Sequence, residues 1–157
     1  DDRGILAFDL HGEGAHAEKL WVDCPGCSYH PRLTHEMIDS GRHFLEMDGK
    51  EVFRHAVVRM PESVQAVLAA TGHVPADLTM LVAHQANLRI AEMMQKTLGL
   101  RDDQVYNNIM RYGNTTAATI PIALDECLRA GRIQPGDLVA LTAFGSGFLW
   151  GSAVLRW

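Results

Sequence analysis

An α/β layer fold is what the sequence predicts, on three observations. Residues 78–83 and 138–144 are short runs with apolar side chains on both faces, the pattern of strands covered by helices on two sides. Segments 50–70, 87–98 and 115–130 carry apolar residues near a 3.6-residue period, the mark of amphipathic helices. The last two apolar runs, 138–144 and 148–157, are joined only by Gly145, Ser146 and Gly147, so they form an antiparallel pair.

Taken in order, residues 4–10 and 19–22 read as short strands around the polar turn HGEGAHAE. Residues 24–43 carry Pro25, Gly26, Pro31 and Gly41 and read as a loop or insertion. The helical pattern over 50–70 is interrupted by Pro61, which predicts two helices or a kink with Pro61 in the first turn of the second. The helix over 87–98 stops at Gly99. Residues 105–107 read as a short strand. The helix over 115–130 holds Pro121, which belongs in its first turns or kinks it, and Gly131 stops it.

The 157 residues suit one domain, residues 1–157, with no internal repeat. A net charge of −5 argues against general nucleic-acid binding, which favours a basic face. No apolar run approaches the ~20 residues of a membrane span, so no membrane partner is expected. Three cysteines make no disulfide framework and point to a reducing, cytoplasmic setting. The chain opens DDRG and closes SAVLRW, and both ends read as cuts within or at the edge of a larger fold.

Two groups of residues invite chemistry. In WVDCPGCSYHPRLTH, Cys24, Cys27, His30 and His35 could be a zinc set or a redox pair. The finger-type spacing of about 12–15 residues between ligand pairs is missing. Pro31 and the polar run after Cys27 argue for an ordinary loop, so no metal is expected there. The second group lies at three loop corners. His84 stands where a strand gives way to a helix, where α/β sheets form sites. A helix N-terminus disfavours imidazolium, so the ring is expected neutral, as a donor to developing negative charge. Asn114 in RYGNTTAATIP could donate to the same oxygen, and a backbone amide near Ser146 in TAFGSGF could form an oxyanion hole. The structural alternatives are a core histidine, a helix N-cap and a tight hairpin turn. Cys127 reads as a small core residue. No Cys or Ser stands at a strand-to-helix elbow, so these residues make half of an active site.

HQANLRI, RYGNTTAATIP, AFGSGFLWGSA and EMDGKEVFRHAV resemble, in order and spacing, the C-terminal half of the ketoacyl synthase III family of thiolase-fold condensing enzymes. The resemblance covers nearly the whole chain and is weakest over 24–43. It implies a thiolase-like half with a five-stranded mixed sheet covered by helices on both faces, in a homodimeric protein whose nucleophilic Cys lies in an absent N-terminal half. It implies decarboxylative condensation of an acyl thioester with malonyl-ACP, with His84 and Asn114 stabilising the enolate and the Ser146 amide in the oxyanion hole. That family usually has Gly at position 146. Asn87, Phe144, Met47, Gly49 and Phe53 fall at substrate and pantetheine positions. Arg89, Arg54 and Lys96 would face the acyl carrier protein, unless they form only a solvated helix face. CoA or ACP thioesters enter as substrates, and no cofactor is implied. Helix surface over 116–124 would be covered by the other half. The alternatives are a secondary-metabolite relative making a starter unit or alkylquinolone, and a non-catalytic acyl-carrier or metal-binding module built on the cysteine loop.

Overall fold

The computed structural model describes residues 3–157. Strand β1 (Gly4–Gly12) is followed by a 3-10 turn (Gly14–Lys19) and strand β2 (Leu20–Val22). Next come helix α1 (His35–Asp39), strand β3 (Leu45–Met47) and helix α2 (Gly49–Ala70). Strand β4 (Met80–Ala83) leads into helix α3 (Leu88–Leu98). Helices α4 (Ile109–Tyr112) and α5 (Thr119–Arg129) precede strands β5 (Leu138–Gly145) and β6 (Leu149–Arg156).

One mixed sheet runs β1-β6-β5-β4, and β2 pairs with β3 in a separate two-stranded ribbon. Strands β4 and β5 are parallel, while β5–β6 and β1–β6 are antiparallel. The five-stranded sheet expected from the sequence is thus a four-stranded one. At the fifth place, next to β4, Val105 makes a single parallel bridge to Leu81. It extends no further because the chain turns at Asn108 into α4.

The alternation within β4 and β5 sends side chains to two cores. Leu81, Ala83, Leu138 and Ala140 pack with Ala56, Met60, Val64 and Met94 of α2 and α3. Met80, Val82 and Val139 pack with Ala123 and Cys127 of α5. The central strands are therefore covered on both faces, as predicted. Edge strand β1 is not: Ile5, Phe8 and Leu10 are 70–73% exposed.

Two local expectations change. Helix α2 is one continuous helix with a buried Pro61 inside it. The missing amide costs a hydrogen bond, but Ala56, Met60, Val64, Val67 and Leu68 bury one face on both sides of it. Each fully buried Val, Leu or Met contributes roughly 1.5–3 kcal/mol, enough to hold the helix through the break. The segment expected as a helix from 115 is a 3-10 turn (Thr116–Ala118) and then α5, with Pro121 in the first turn, where its lacking donor is harmless. In the loop over 24–43, Cys24 is fully buried and Cys27 exposed. Asp23 ties that loop together by accepting from Arg42 Nε and Tyr29 Oη, each at 2.5 Å.

Candidate functional site

Because β4 and β5 are parallel, their C-terminal ends lie side by side. His84 follows β4 directly, and its amide donates to the Thr142 carbonyl at 2.8 Å, carrying the ladder one residue past the strand. Gly145 ends β5 at the same edge. The corner after His84 is fixed by buried Gln85. Its side chain donates to the Ala83 carbonyl at 2.9 Å and accepts from the amides of Asn108 and Ile109 at 3.0 and 3.2 Å. Gln85 thus joins the His84 corner to the segment that leads to Asn114. Sequence reading passed over it, because only burial distinguishes this glutamine from a surface one.

His84, Asn114 and Ser146 line one cavity of about 1000 Å³. Asn87, Phe144, Met47, Gly49 and Phe53 line it too, with Ile90, Ala143 and Trp150. The structure thus brings together every residue read as catalytic or substrate-binding. Arg54, Arg89 and Lys96 are exposed outside it. Arg54 is paired with Glu51 at 2.5 Å, and the Arg89 guanidinium lies 5.5 Å over the Phe53 ring. Lys96 stands in the last turn of α3.

The half-buried His84 ring has its pKa lowered by burial, which favours the neutral form. Its Nδ1 lies 2.7 Å from Thr119 Oγ1, and that hydroxyl lies 3.0 Å from the Thr116 carbonyl. Thr119 has one hydroxyl proton. Given to Thr116, it obliges Nδ1–H to donate to Oγ1 and leaves Nε2 an acceptor. Turned to Nδ1, it makes Nε2–H the donor. The Thr119 hydroxyl therefore decides whether His84 offers a proton or a lone pair at its other nitrogen. The sequence did not single out Thr119, which lies five residues past Asn114 in RYGNTTAATIP.

Asn114 caps no α-helix. Its Oδ1 accepts from the Thr116 amide at 2.8 Å, which fixes the carboxamide by one end and leaves Nδ2 to donate. Asn87 is the N-cap of α3, accepting from the Arg89 amide at 3.0 Å. In the β5–β6 turn, Gly147 and Phe148 hold positive φ of 77° and 51°. The Gly147 amide is bonded to the Leu20 carbonyl at 3.0 Å, whereas the Ser146 amide has no partner among the described residues. Phe148 is fully buried, and Phe144 meets it edge-on at 5.1 Å.

The cysteine loop does not assemble a metal-type cluster. Among the described residues the one group of His, Cys or acidic side chains close enough to share an ion is Glu13, His16 and His55. Among the described residues, no helix is long and apolar enough to cross a membrane. The apolar surface expected over 116–124 is partly covered: Ala117 and Ala118 are exposed, but Ile120, Ile122 and Leu124 are half-buried. The larger bare patch is elsewhere, at Leu10, Leu45, Met47 and Leu149, 57–73% exposed on the cavity wall.

Residues 68–157 match the family profile described as 3-oxoacyl-[acyl-carrier-protein (ACP)] synthase III C terminal. The beta-ketoacyl-[acyl-carrier-protein] synthase III of Rhodospirillum centenum is 46% identical over 156 residues, covering 99% of this chain and 45% of that protein. The crystal structure of 3-oxoacyl-(acyl carrier protein) synthase III, FabH, from Pseudomonas aeruginosa PAO1 is 40% identical with a TM-score of 0.87, covering 100% of this chain and 47% of the other. The priming beta-ketosynthase of the R1128 polyketide biosynthetic pathway is 30% identical with a TM-score of 0.84, over 98% and 45%. The chain thus spans about half the length of the relatives it matches.

Proposed function

Since this chain belongs to the 3-oxoacyl-[acyl-carrier-protein] synthase III family, as its C-terminal half, we propose that it supplies the decarboxylation and enolate-binding side of a condensing enzyme's active site. The observation that carries this reading is the convergence of His84, Asn114 and the Ser146 turn on one cavity at the ends of two parallel strands. An N-terminal half supplies the nucleophilic Cys, which an acyl-CoA acylates with release of CoA. Malonyl-ACP then places its thioester carbonyl against His84 Nε2–H and Asn114 Nδ2–H. The bond to the carboxylate breaks, CO₂ leaves, and its electron pair becomes an enolate held by those two donors. The enolate carbon attacks the acyl-Cys carbonyl. The resulting oxyanion is held by the Cys and Ser146 amides until the thiolate departs, leaving a β-ketoacyl-ACP. Met47, Gly49, Phe53 and Phe144 line the acyl and pantetheine path beside Asn87. Arg89, Arg54 and Lys96 are the exposed cations offered to the acidic carrier protein, with Arg54 also paired to Glu51. The family arrangement is a homodimer.

His84→Ala in the full-length enzyme tests this. Loss of an oxyanion donor costs roughly 2.7–4 kcal/mol, or 10²–10³ in rate. Decarboxylation of malonyl-ACP should fall by that factor while acylation of the Cys from acyl-CoA persists. Decarboxylation at the parental rate would remove His84 from the role. A second reading, a starter-unit synthase of secondary metabolism, draws on the likeness to the R1128 priming enzyme. Turnover with longer or branched acyl-CoA in preference to acetyl-CoA would favour it.

A further inference from the structure

Behind the β5–β6 turn lies a group of residues that the condensation does not use, and none of them lines the substrate cavity. Glu13 stands between β1 and the 3-10 turn, His16 lies on that turn, and His55 projects from α2. Their ligand-type atoms lie within 4.8 Å of one another.

One member is oriented as a ligand would be. His55 Nδ1 is 2.9 Å from the Glu51 carbonyl, which can only accept, so Nδ1 carries the proton and Nε2 presents its lone pair. Ligating histidines are oriented by just such a bond at the other nitrogen. His16 Nε2 lies 3.8 Å from Glu13 Oε1, and the two imidazoles sit with centroids 4.7 Å apart. Glu13 is fixed through its backbone, its amide donating to the Phe148 carbonyl at 2.9 Å and its carbonyl accepting from the His16 amide at 3.0 Å. Yet its Oε2 is buried with no hydrogen-bond partner. The nearest cation, Arg59, is 3.9 Å from it and is occupied by Glu62 at 3.1 Å and by the Trp150 ring. The Glu13 side chain as a whole is 33% exposed, which leaves a cation access to the carboxylate and its unpartnered oxygen.

We infer that Glu13, His16 and His55 form a binding site for one divalent transition-metal ion of the zinc class. Two imidazoles and a carboxylate suit zinc or cobalt, with bonds of about 2.0–2.2 Å and ligand atoms roughly 3.3–3.5 Å apart. From 4.8 Å, the ligand atoms need close by at most about 1.5 Å to reach that spacing. Phe148 packs against both rings, at 5.5 and 4.9 Å. A bound ion would therefore tie α2 and the 3-10 turn to the hairpin that presents the Ser146 amide. Its role is structural, and no step of the condensation passes through it.

Cobalt is the probe. The full-length protein, stripped by chelator, is titrated with Co²⁺ and followed by visible absorption. One equivalent per chain with d–d bands is expected. It should be lost in His16→Gln and in His55→Gln and kept in Cys27→Ser, whose thiol is exposed. If a histidine variant fails to fold, histidine ¹⁵N shifts of the parent during Zn²⁺ titration decide: the Nε2 signals of His16 and His55 should move together. No bound equivalent with metal in excess, binding that survives both histidine variants, or shifts confined to other histidines would each overturn the site. Without uptake, the cluster is a side-chain packing contact only.

Discussion

At the scale of single residues, Thr119 is the group whose chemistry reaches furthest, through the proton it shares with His84. Burial favours the neutral imidazole, so the folded pKa lies below the ordinary 6.5. The sign follows directly. Between the two values the unfolded chain binds more protons, so this stabilisation is complete above 6.5 and is lost as pH falls below it. NMR titration of His84 in the full-length enzyme should give a midpoint under 6.5. Thr119→Val keeps the volume and removes the hydroxyl that partners Nδ1. A hydrogen bond of this kind contributes about 0.5–1.5 kcal/mol, so decarboxylation should slow by roughly two- to twelvefold. The ¹⁵N pattern of His84 should change tautomer balance at the same time, and Thr119→Ser should restore both. A rate and an ¹⁵N spectrum unchanged in Thr119→Val would show that the hydroxyl does not govern the ring.

Among the elements, α5 holds the Asn114 segment through a single carboxylate. Glu126 accepts from Asn108 Nδ2 and Tyr112 Oη at 2.7 Å, Arg111 Nη2 at 2.8 Å and Tyr106 Oη at 3.0 Å. Asn108 foremost, then Tyr112, hold its pKa below the ordinary 4.5, so the network persists until acid below that value protonates it. Glu126→Gln keeps the shape but sets an amide N–H against donors. Amides of residues 108–114 should then exchange faster and decarboxylation should weaken, while the His84 titration midpoint stays put. Protection and rate at parental levels would show that α4 needs no such anchor. Little of this network was legible beforehand. The two-faced strands and the periods of the helices were legible because burial writes itself into composition, while the break expected at Pro61 did not occur. His84, Asn114 and Ser146 were marked as candidates because His84 follows an apolar strand run and the other two stand beside glycines in short polar segments. Gln85 and Glu126 look like ordinary surface residues in sequence. Their roles exist only once segments some twenty residues apart are folded against each other. The ribbon of β2 and β3 was half missed for a similar reason: three-residue strands carry too little periodicity, and pairing alone defines them.

For the whole molecule, the distribution of exposed apolar surface argues that the site is finished by other sequence. Leu10, Leu45, Met47 and Leu149 are 73, 62, 61 and 57% exposed, and all four line the cavity that holds His84 and Asn114. Ile5 and Phe8 extend the bare surface along β1. Soluble monomers rarely leave contiguous apolar patches of this kind uncovered. The catalytic inventory points the same way. Cys24 and Cys127 are buried and line no part of the cavity, and burial raises the Cys127 thiol to about 11. Cys27 is exposed in the loop and does not line the cavity. Residues 1–157 expressed alone should therefore bind a hydrophobic dye, self-associate in sedimentation, and give no β-ketoacyl product from acyl-CoA and malonyl-ACP. Supplying the N-terminal half as a second chain should lower dye binding and restore turnover together, because one surface both hides the patch and brings the nucleophile to His84. A monodisperse, dye-silent monomer that condenses unaided would defeat the argument. Recovery of solubility without turnover would separate its packing part from its chemical part.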